Sequence, residues 1–287
     1  MWGYLFLLPF ALLFTVFVIL PVIVSFFTSF TNYSLFQSAE PIGLVNYYNL
    51  LANDDVFIIA MKNTLVFVCI TGPIGYILSF TTAYVLNKMK MRNFFSLLFY
   101  TPSLTSSVAM ATVWMYFFSS DRYGLINNIL LNIGAITEPI LWTMDTSTIL
   151  PVIIIISIWT SMGTGFLVFV AGLQNLSSEI LEAGRIDGIK SSMQELYYIV
   201  LPQMKPQLLF GIINAIVNAF GVFDISVTVA GMPSAQYAGH TIVTHLYDYA
   251  FMRYQMGYAS AIAMVLFLIT FLLGRIAFHL FGKGDQA

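Results

Sequence analysis

The chain has 287 residues, of which 59% are hydrophobic and only 8% charged, with a net charge of −2. Soluble domains carry roughly 25% charged residues, so this composition excludes a water-facing globule and leaves an all-α integral membrane protein. The charge balance gives no basis for nucleic-acid binding, and the lone Cys69, inside an apolar run, excludes a disulfide framework and reads as a small buried hydrophobe.

A spanning helix needs about 20 mostly apolar residues. The first run that qualifies is Trp2–Phe30. It is too long for a cleaved signal peptide and lacks its basic front, which points to a native N-terminus longer than the numbered chain. Residues 31–56 form a polar connection with Asn32, Asn46, Asn49, Asp54 and Asp55. The second run, Phe57–Leu86, begins near Lys62 and leads into Lys88, Lys90 and Arg92. The third is Phe94–Phe118, with Thr101, Ser103, Thr105 and Ser106 as candidate path residues. Residues 119–148 follow, and their stretch DRYGLINNILLNIG has apolar residues at near-helical spacing, as an interfacial helix would.

The fourth run, Ile149–Val170, carries Thr160, Ser161 and Thr164. After it comes a polar island, Ser177–Pro202, with Glu179, Glu182, Arg185, Asp187, Lys190 and Glu195. Ser178 is the expected N-cap of its first helix, with Glu179 and Glu182 in the first turn, where carboxylates favour the dipole. Gly188 is the expected stop. A second helix is expected from Ser192, with Glu195 completing a capping box, until Pro202 breaks it and the chain re-enters at Pro206. Ile180, Ala183, Gly184, Ile186 and Ile189 are small or apolar residues that a merely solvated loop does not need.

The fifth run, Leu208–Val229, contains Asn214, Asn218 and Asp224, with Ser226 beyond. Asp224 reads either as a cavity carboxylate, since an ionisable group at membrane depth is a functional candidate, or as an interfacial helix-end residue. Residues 230–256 hold His240, His245, Asp248 and Arg253, without ligand spacing for a metal. The last run is Tyr258–Phe281. Pro9, Pro21, Pro73, Pro102 and Pro151 lie in or at the start of spans, where membrane helices tolerate them. Six helices make one transmembrane domain over 1–287, with 177–202 between the fourth and fifth.

Lys and Arg counts orient it. Lys88, Lys90, Arg92, Arg185, Lys190, Lys205, Arg275 and Lys283 fall on one side against Lys62, Arg122 and Arg253 on the other. This places the polar island and both termini in the cytoplasm. No phosphate-cradling GxxxxGKS/T loop occurs, so ATP hydrolysis is not expected of this chain.

Glu182-Ala183-Gly184-x-x-Asp187-Gly188, followed by Leu201-Pro202, resembles the EAA motif of bacterial binding-protein-dependent ABC importer permeases. The likeness extends to GLVNYYNLL…NTLVF (43–67), VAGLQNL (170–176), GVFDISVTVAG (221–231) and YAFMRYQMGYASAIAMVLFLIT (249–270) of the carbohydrate branch. It implies the type I ABC importer permease fold, in which the hairpin is a coupling helix docked on a cytoplasmic ATPase through Glu182, Ala183, Gly184, Asp187 and Gly188. It also implies a homologous second permease, two ATPase subunits that bind ATP-Mg, an extracytoplasmic solute-binding protein and a sugar substrate, with no cofactor on this chain. The substrate path is expected at Asp224, Asn218, Asn214 and Thr160. Two departures stand out: Gly184 replaces the second motif alanine, and twelve residues separate Gly188 from Leu201 where the motif has eleven. The alternative is a secondary carrier for a small polar solute, which would need buried ionisable groups and often repeated halves.

Overall fold

The computed structural model describes residues 2–281. The chain begins with α1 (Trp2–Phe14), a π turn at Thr15–Ile19, α2 (Leu20–Thr28), α3 (Val45–Ala52) and α4 (Asp55–Asn87). Then come α5 (Arg92–Leu104), α6 (Ser107–Phe117), α7 (Leu125–Asn132), α8 (Ile149–Thr160), α9 (Thr164–Gln174) and α10 (Ser178–Ile186). The remainder is α11 (Ser192–Glu195), a π turn at Leu196–Val200, α12 (Leu201–Gln203), α13 (Lys205–Phe220), α14 (Asp224–Ala230), α15 (Ile242–Tyr247), a π turn at Asp248–Met252 and α16 (Met256–Phe281). Among the described residues the only β pairing is two isolated bridges, Thr31 with Pro41 and Ser34 with Gln37.

Five spans are long and apolar enough to cross a membrane, and six when α5 and α6, bent by 94°, count as one. The six apolar runs are therefore all present as helix, but three are interrupted. The third breaks at Thr105–Ser106, just after Pro102, whose ring removes a backbone donor from the last turn of α5. The fourth breaks at Ser161–Gly163 and the fifth at Gly221–Phe223. The last span starts at Met256, and Lys62 lies within α4 rather than at its start. Cys69 is exposed, not buried as its apolar neighbours suggested. Lys283 lies outside the described residues.

The chain forms two compact units: residues 1–61 with 241–269, and residues 62–240 with 270–287. In the first, Leu50, Phe57, Ile242 and Ile262 make a fully buried apolar core. Asn46 Nδ2 donates to the carbonyls of Ser29 and Thr31, both at 2.8 Å. A side chain at Gly257 would overlap the Thr31 carbonyl, so the start of α16 can cross residues 31–33 this closely only as glycine. The window Phe6–Thr28 contains no buried residue, so its apolar surface is left to lipid or to another chain.

The second unit is built around Ala83, Leu86, Met162, Phe166, Phe169, Leu173, Val200 and Met204. Phe169 takes the edges of Tyr76 and Phe80, each at 5.5 Å between centroids. A Cβ at Gly211 would overlap the Phe169 ring, which lets α13 lie directly on α9. Asn63 Nδ2 donates to the carbonyls of Tyr237, Ala238 and His240 at 2.9 to 3.2 Å, and Ser226 Oγ donates to Gly239 O at 2.6 Å. These bonds anchor the loop that follows the fifth span.

Candidate functional site: a broken-helix cavity and a polar hairpin

The second unit encloses a cavity of about 600 Å³ walled by α4 and the third, fourth and fifth spans. All three helix breaks open into it: Thr105, Ser161, Gly163, Gly221, Val222 and Phe223 are wall residues. Backbone that leaves the helical ladder at membrane depth must be buried in protein or line a cavity, because lipid cannot satisfy its N–H and C=O groups. Discontinuous helices of this kind build solute sites in transporters. The sequence carried a faint signal for them, since Gly163 and Gly221 interrupt apolar runs.

The four residues expected on the substrate path all line this cavity: Thr160, Asn214, Asn218 and Asp224. Asn214 and Asn218 are one helical turn apart on α13, and their face continues to Gly221. Thr160 Oγ1 bonds back to its own helix at Ile156 O and Ser157 O, both 3.2 Å, leaving its methyl group and lone pairs to the wall. Asp224 is the first residue of α14, where the helix dipole favours a carboxylate. It is exposed to the cavity, not buried in the span. Of the other candidates, Ser103, Thr105, Ser161 and Thr164 are wall residues, whereas Ser226 is committed to Gly239.

The polar island is a hairpin of two helices, one residue out of register with its sequence reading at each start. Ser177, not Ser178, is the first N-cap, accepting from Glu179 N at 3.2 Å. Glu182 therefore falls in the second turn. Gly188 does end the limb, with φ +99°. The second limb has a capping box of Ser191 and Gln194 rather than Ser192 and Glu195, which frees Glu195 for another task. Pro202 does not break this limb: the helix runs on to Gln203, and α13 begins at Lys205, one residue before Pro206.

The π turn at Leu196–Val200 lies within the twelve residues between Gly188 and Leu201. A π turn closes i→i+5 bonds, so it takes up one extra residue without rotating the α-helical turns on either side. The turn Leu196–Val200 therefore holds one residue more than α geometry needs. Ile199 and Val200 stay buried while Tyr197 and Tyr198 are exposed.

Of the five expected docking residues, Glu182, Ala183, Asp187 and Gly188 are exposed, alongside Ile186 at 87% exposure. Gly184 is different. It is buried, and a Cβ there would overlap the Ile199 side chain. Its small size thus serves close packing of the two limbs, not the approach of a partner.

Glu195, only 15% exposed, accepts from Lys88 Nζ at 3.1 Å and lies 3.9 Å from Arg185. Lys88 also donates to Tyr84 Oη at 2.7 Å and sits 4.4 Å over that ring. Tyr84 Oη in turn donates to Ser192 O at 2.9 Å. Desolvation lowers the Lys88 pKa, but Tyr84 and Glu195 outweigh it and hold the ammonium above the ordinary lysine value. Nothing in the sequence pairs these residues, which lie 107 positions apart.

The first unit holds a second polar node. Asp54 Oδ2 accepts from Tyr258 Oη at 2.8 Å, His245 Nε2 at 3.0 Å and Tyr249 Oη at 3.4 Å, and Oδ1 accepts from Phe57 N at 2.9 Å. Burial raises the Asp54 pKa, but these donors more than offset it and leave the carboxyl below 3.8. For His245 burial dominates the pull of Asp54 and holds the imidazole below 6.5. Arg253 pairs with Asp248 at 2.7 Å and covers the Tyr249 ring.

A family model described as binding-protein-dependent transport system inner membrane component matches residues 72–281. The probable ABC transporter permease YesP of Bacillus subtilis is 33% identical over 96% of this chain and 89% of its own length. The arabinooligosaccharides transport system permease AraP of the same organism is 32% identical over 98% and 90%. A chain of a bacterial ABC transporter involved in the import of the acidic polysaccharide alginate superposes with a TM-score of 0.83 at 21% identity, covering 99% of this chain and 96% of that one. At that identity the likeness speaks for the fold. The chain belongs to the family of inner membrane components of binding-protein-dependent transport systems.

Proposed function

We propose that this family member is a permease subunit of an ATP-driven importer for a neutral oligosaccharide. The carrying observation is the wall of the cavity. It presents amides, hydroxyls, one carboxylate and the aromatic rings of Tyr76 and Tyr100, and no Lys or Arg is among the described wall residues. Hydroxyl-rich, uncharged solutes are held by such groups, whereas an anionic chain would meet Asp224 with no cation to offset it. AraP, an arabinooligosaccharides transport system permease, supports the same class.

Binding of solute on one side and release on the other follows from rocking of spans around a fixed cavity. The broken helices supply the flexible points. The drive comes from a separate ATPase that binds ATP-Mg and docks on the exposed hairpin face of Glu182, Ala183, Ile186, Asp187 and Gly188. A second permease, two ATPase subunits and an extracytoplasmic solute-binding protein complete the assembly, with the hairpin and both termini cytoplasmic.

The test is reconstitution of the complete transporter in proteoliposomes with its solute-binding protein. ATP-dependent uptake of neutral arabinooligosaccharides, and none of alginate oligosaccharides, is the expected outcome. Uptake that persists without the ATPase subunits, driven by an ion gradient, would establish the secondary carrier instead.

A further inference from the structure

The cavity and the exposed hairpin face lie in different parts of the second unit, and one helix connects them. Helix α4 has 33 residues, a length of about 50 Å at 1.5 Å per residue. One stretch of it, Phe67, Thr71, Gly72, Gly75, Tyr76 and Ser79, forms a wall of the cavity. Its C-terminal end carries Tyr84 and is followed directly by Lys88, both held to the second limb of the hairpin.

We propose that Lys88 and Glu195, with Tyr84 beside them, are positioning residues that carry hairpin motion into α4 and so to the cavity wall. This rests on the importer reading above. The hairpin is one body, because Gly184 of α10 packs on Ile199 of the second limb and Arg185 reaches Glu195 across the two. Glu195 is therefore the point at which the docking limb and α4 are joined by charge. The backbone carbonyl of Ser192 gives a second attachment, through the Tyr84 hydroxyl. Asn87 Nδ2 extends the join to α9, donating to Leu173 O at 3.4 Å.

Stability alone does not account for this arrangement. Lys88 is 40% exposed, and pairs exposed to that degree contribute little to stability. The hydrophobic core of this unit needs no such pair to bring α4 and the second limb together, since Ala83, Leu86, Val200 and Met204 already pack there. What the pair adds is direction. It fixes the end of α4 to the hairpin at a polar, hydrogen-bonded point that apolar contacts would let slide.

The test uses the complete transporter in proteoliposomes and reads solute transported per ATP hydrolysed, with co-purification of the ATPase subunits measured alongside. Lys88→Glu and Glu195→Lys are each expected to lower the ratio by about 5-fold or more, the lower end of ordinary coupling between sites, with the ATPase subunits still bound. The double variant, which restores opposite charges, is expected to recover most of the loss, isolating the pair as a double-mutant cycle does. The milder Lys88→Gln and Glu195→Gln, scored by thermal unfolding, keep a folding defect from passing as a coupling defect. Unchanged ratios in the single variants, or a double variant no better than the worse single, would overturn the link while the parent's solute-stimulated hydrolysis still upholds the importer reading. A parent complex with no such stimulation would overturn both.

Discussion

Deleting Tyr198 should leave the hairpin intact, although removing a residue from a helix ordinarily does not. In a regular α-helix one residue fewer rotates everything beyond it by about 100° and shifts it by about 1.5 Å. Here the deletion falls in the π turn Leu196–Val200, and closing that turn to α geometry removes the surplus residue without rotating its flanks. Ile199 and Val200 remain turned inward, and Glu195 remains beside Lys88. Inserting one alanine between Tyr197 and Tyr198 does the opposite, because the turn already holds one extra residue. The resulting slip lifts Ile199 and Val200, 8% and 2% exposed, out of the core. At about 1.5–3 kcal/mol per buried aliphatic side chain, the cost is roughly 3–6 kcal/mol. Thermal unfolding of the two purified variants, with transport per ATP as a second readout, checks this. The deletion is expected within about 0.5 kcal/mol of the parent, the scatter of ordinary surface changes, and the insertion well below it. Equal damage from both would refute the reading of the π turn as an absorbed insertion.

Glu182→Lys and Asp187→Lys reverse charge on the exposed docking face, and each should release or uncouple the ATPase while the membrane part unfolds at the parent temperature; normal uptake in both would remove these residues from the interface. Asp224→Asn takes the one carboxylate from the described cavity wall and should change uptake across a series of neutral and charged saccharides, whereas identical rates throughout would place Asp224 off the path. In the first unit, the His245 imidazole is held below 6.5 and the Asp54 carboxyl below 3.8. As pH falls from 7 the unfolded chain takes up the histidine proton first, so stability declines below 6.5 by at most about 1.4 kcal/mol per pH unit, until the folded imidazole also protonates. Asp54 adds its own loss only below 3.8. His245→Gln should flatten the change in melting temperature between pH 7 and pH 5, and an unchanged slope would show that another group sets it.

The hydrophobic runs determined the number and order of the spans, because a lipid-crossing helix needs length and apolar content and both can be read locally. The hairpin was legible for the same reason. Its two limbs, the Gly188 stop and the exposed positions of Glu182, Ala183 and Asp187 follow from cap chemistry and glycine freedom within a few residues. Cap positions slipped by one because Ser177–Ser178 and Ser191–Ser192 are serine pairs, and only the backbone shows which hydroxyl meets the free N–H. Other features depend on residues distant in sequence. Gly184 proved to be an internal packing site because Ile199 returns against it. The breaks at Thr105, Ser161 and Gly221 come together only when four spans surround a shared cavity, which also brings Thr160, Asn214, Asn218 and Asp224 to one wall. Lys88 meets Glu195, and Asp54 meets His245, across more than a hundred residues. A sequence specifies hydrogen-bond and packing preferences one segment at a time; which donor finds which acceptor is decided when the segments pack.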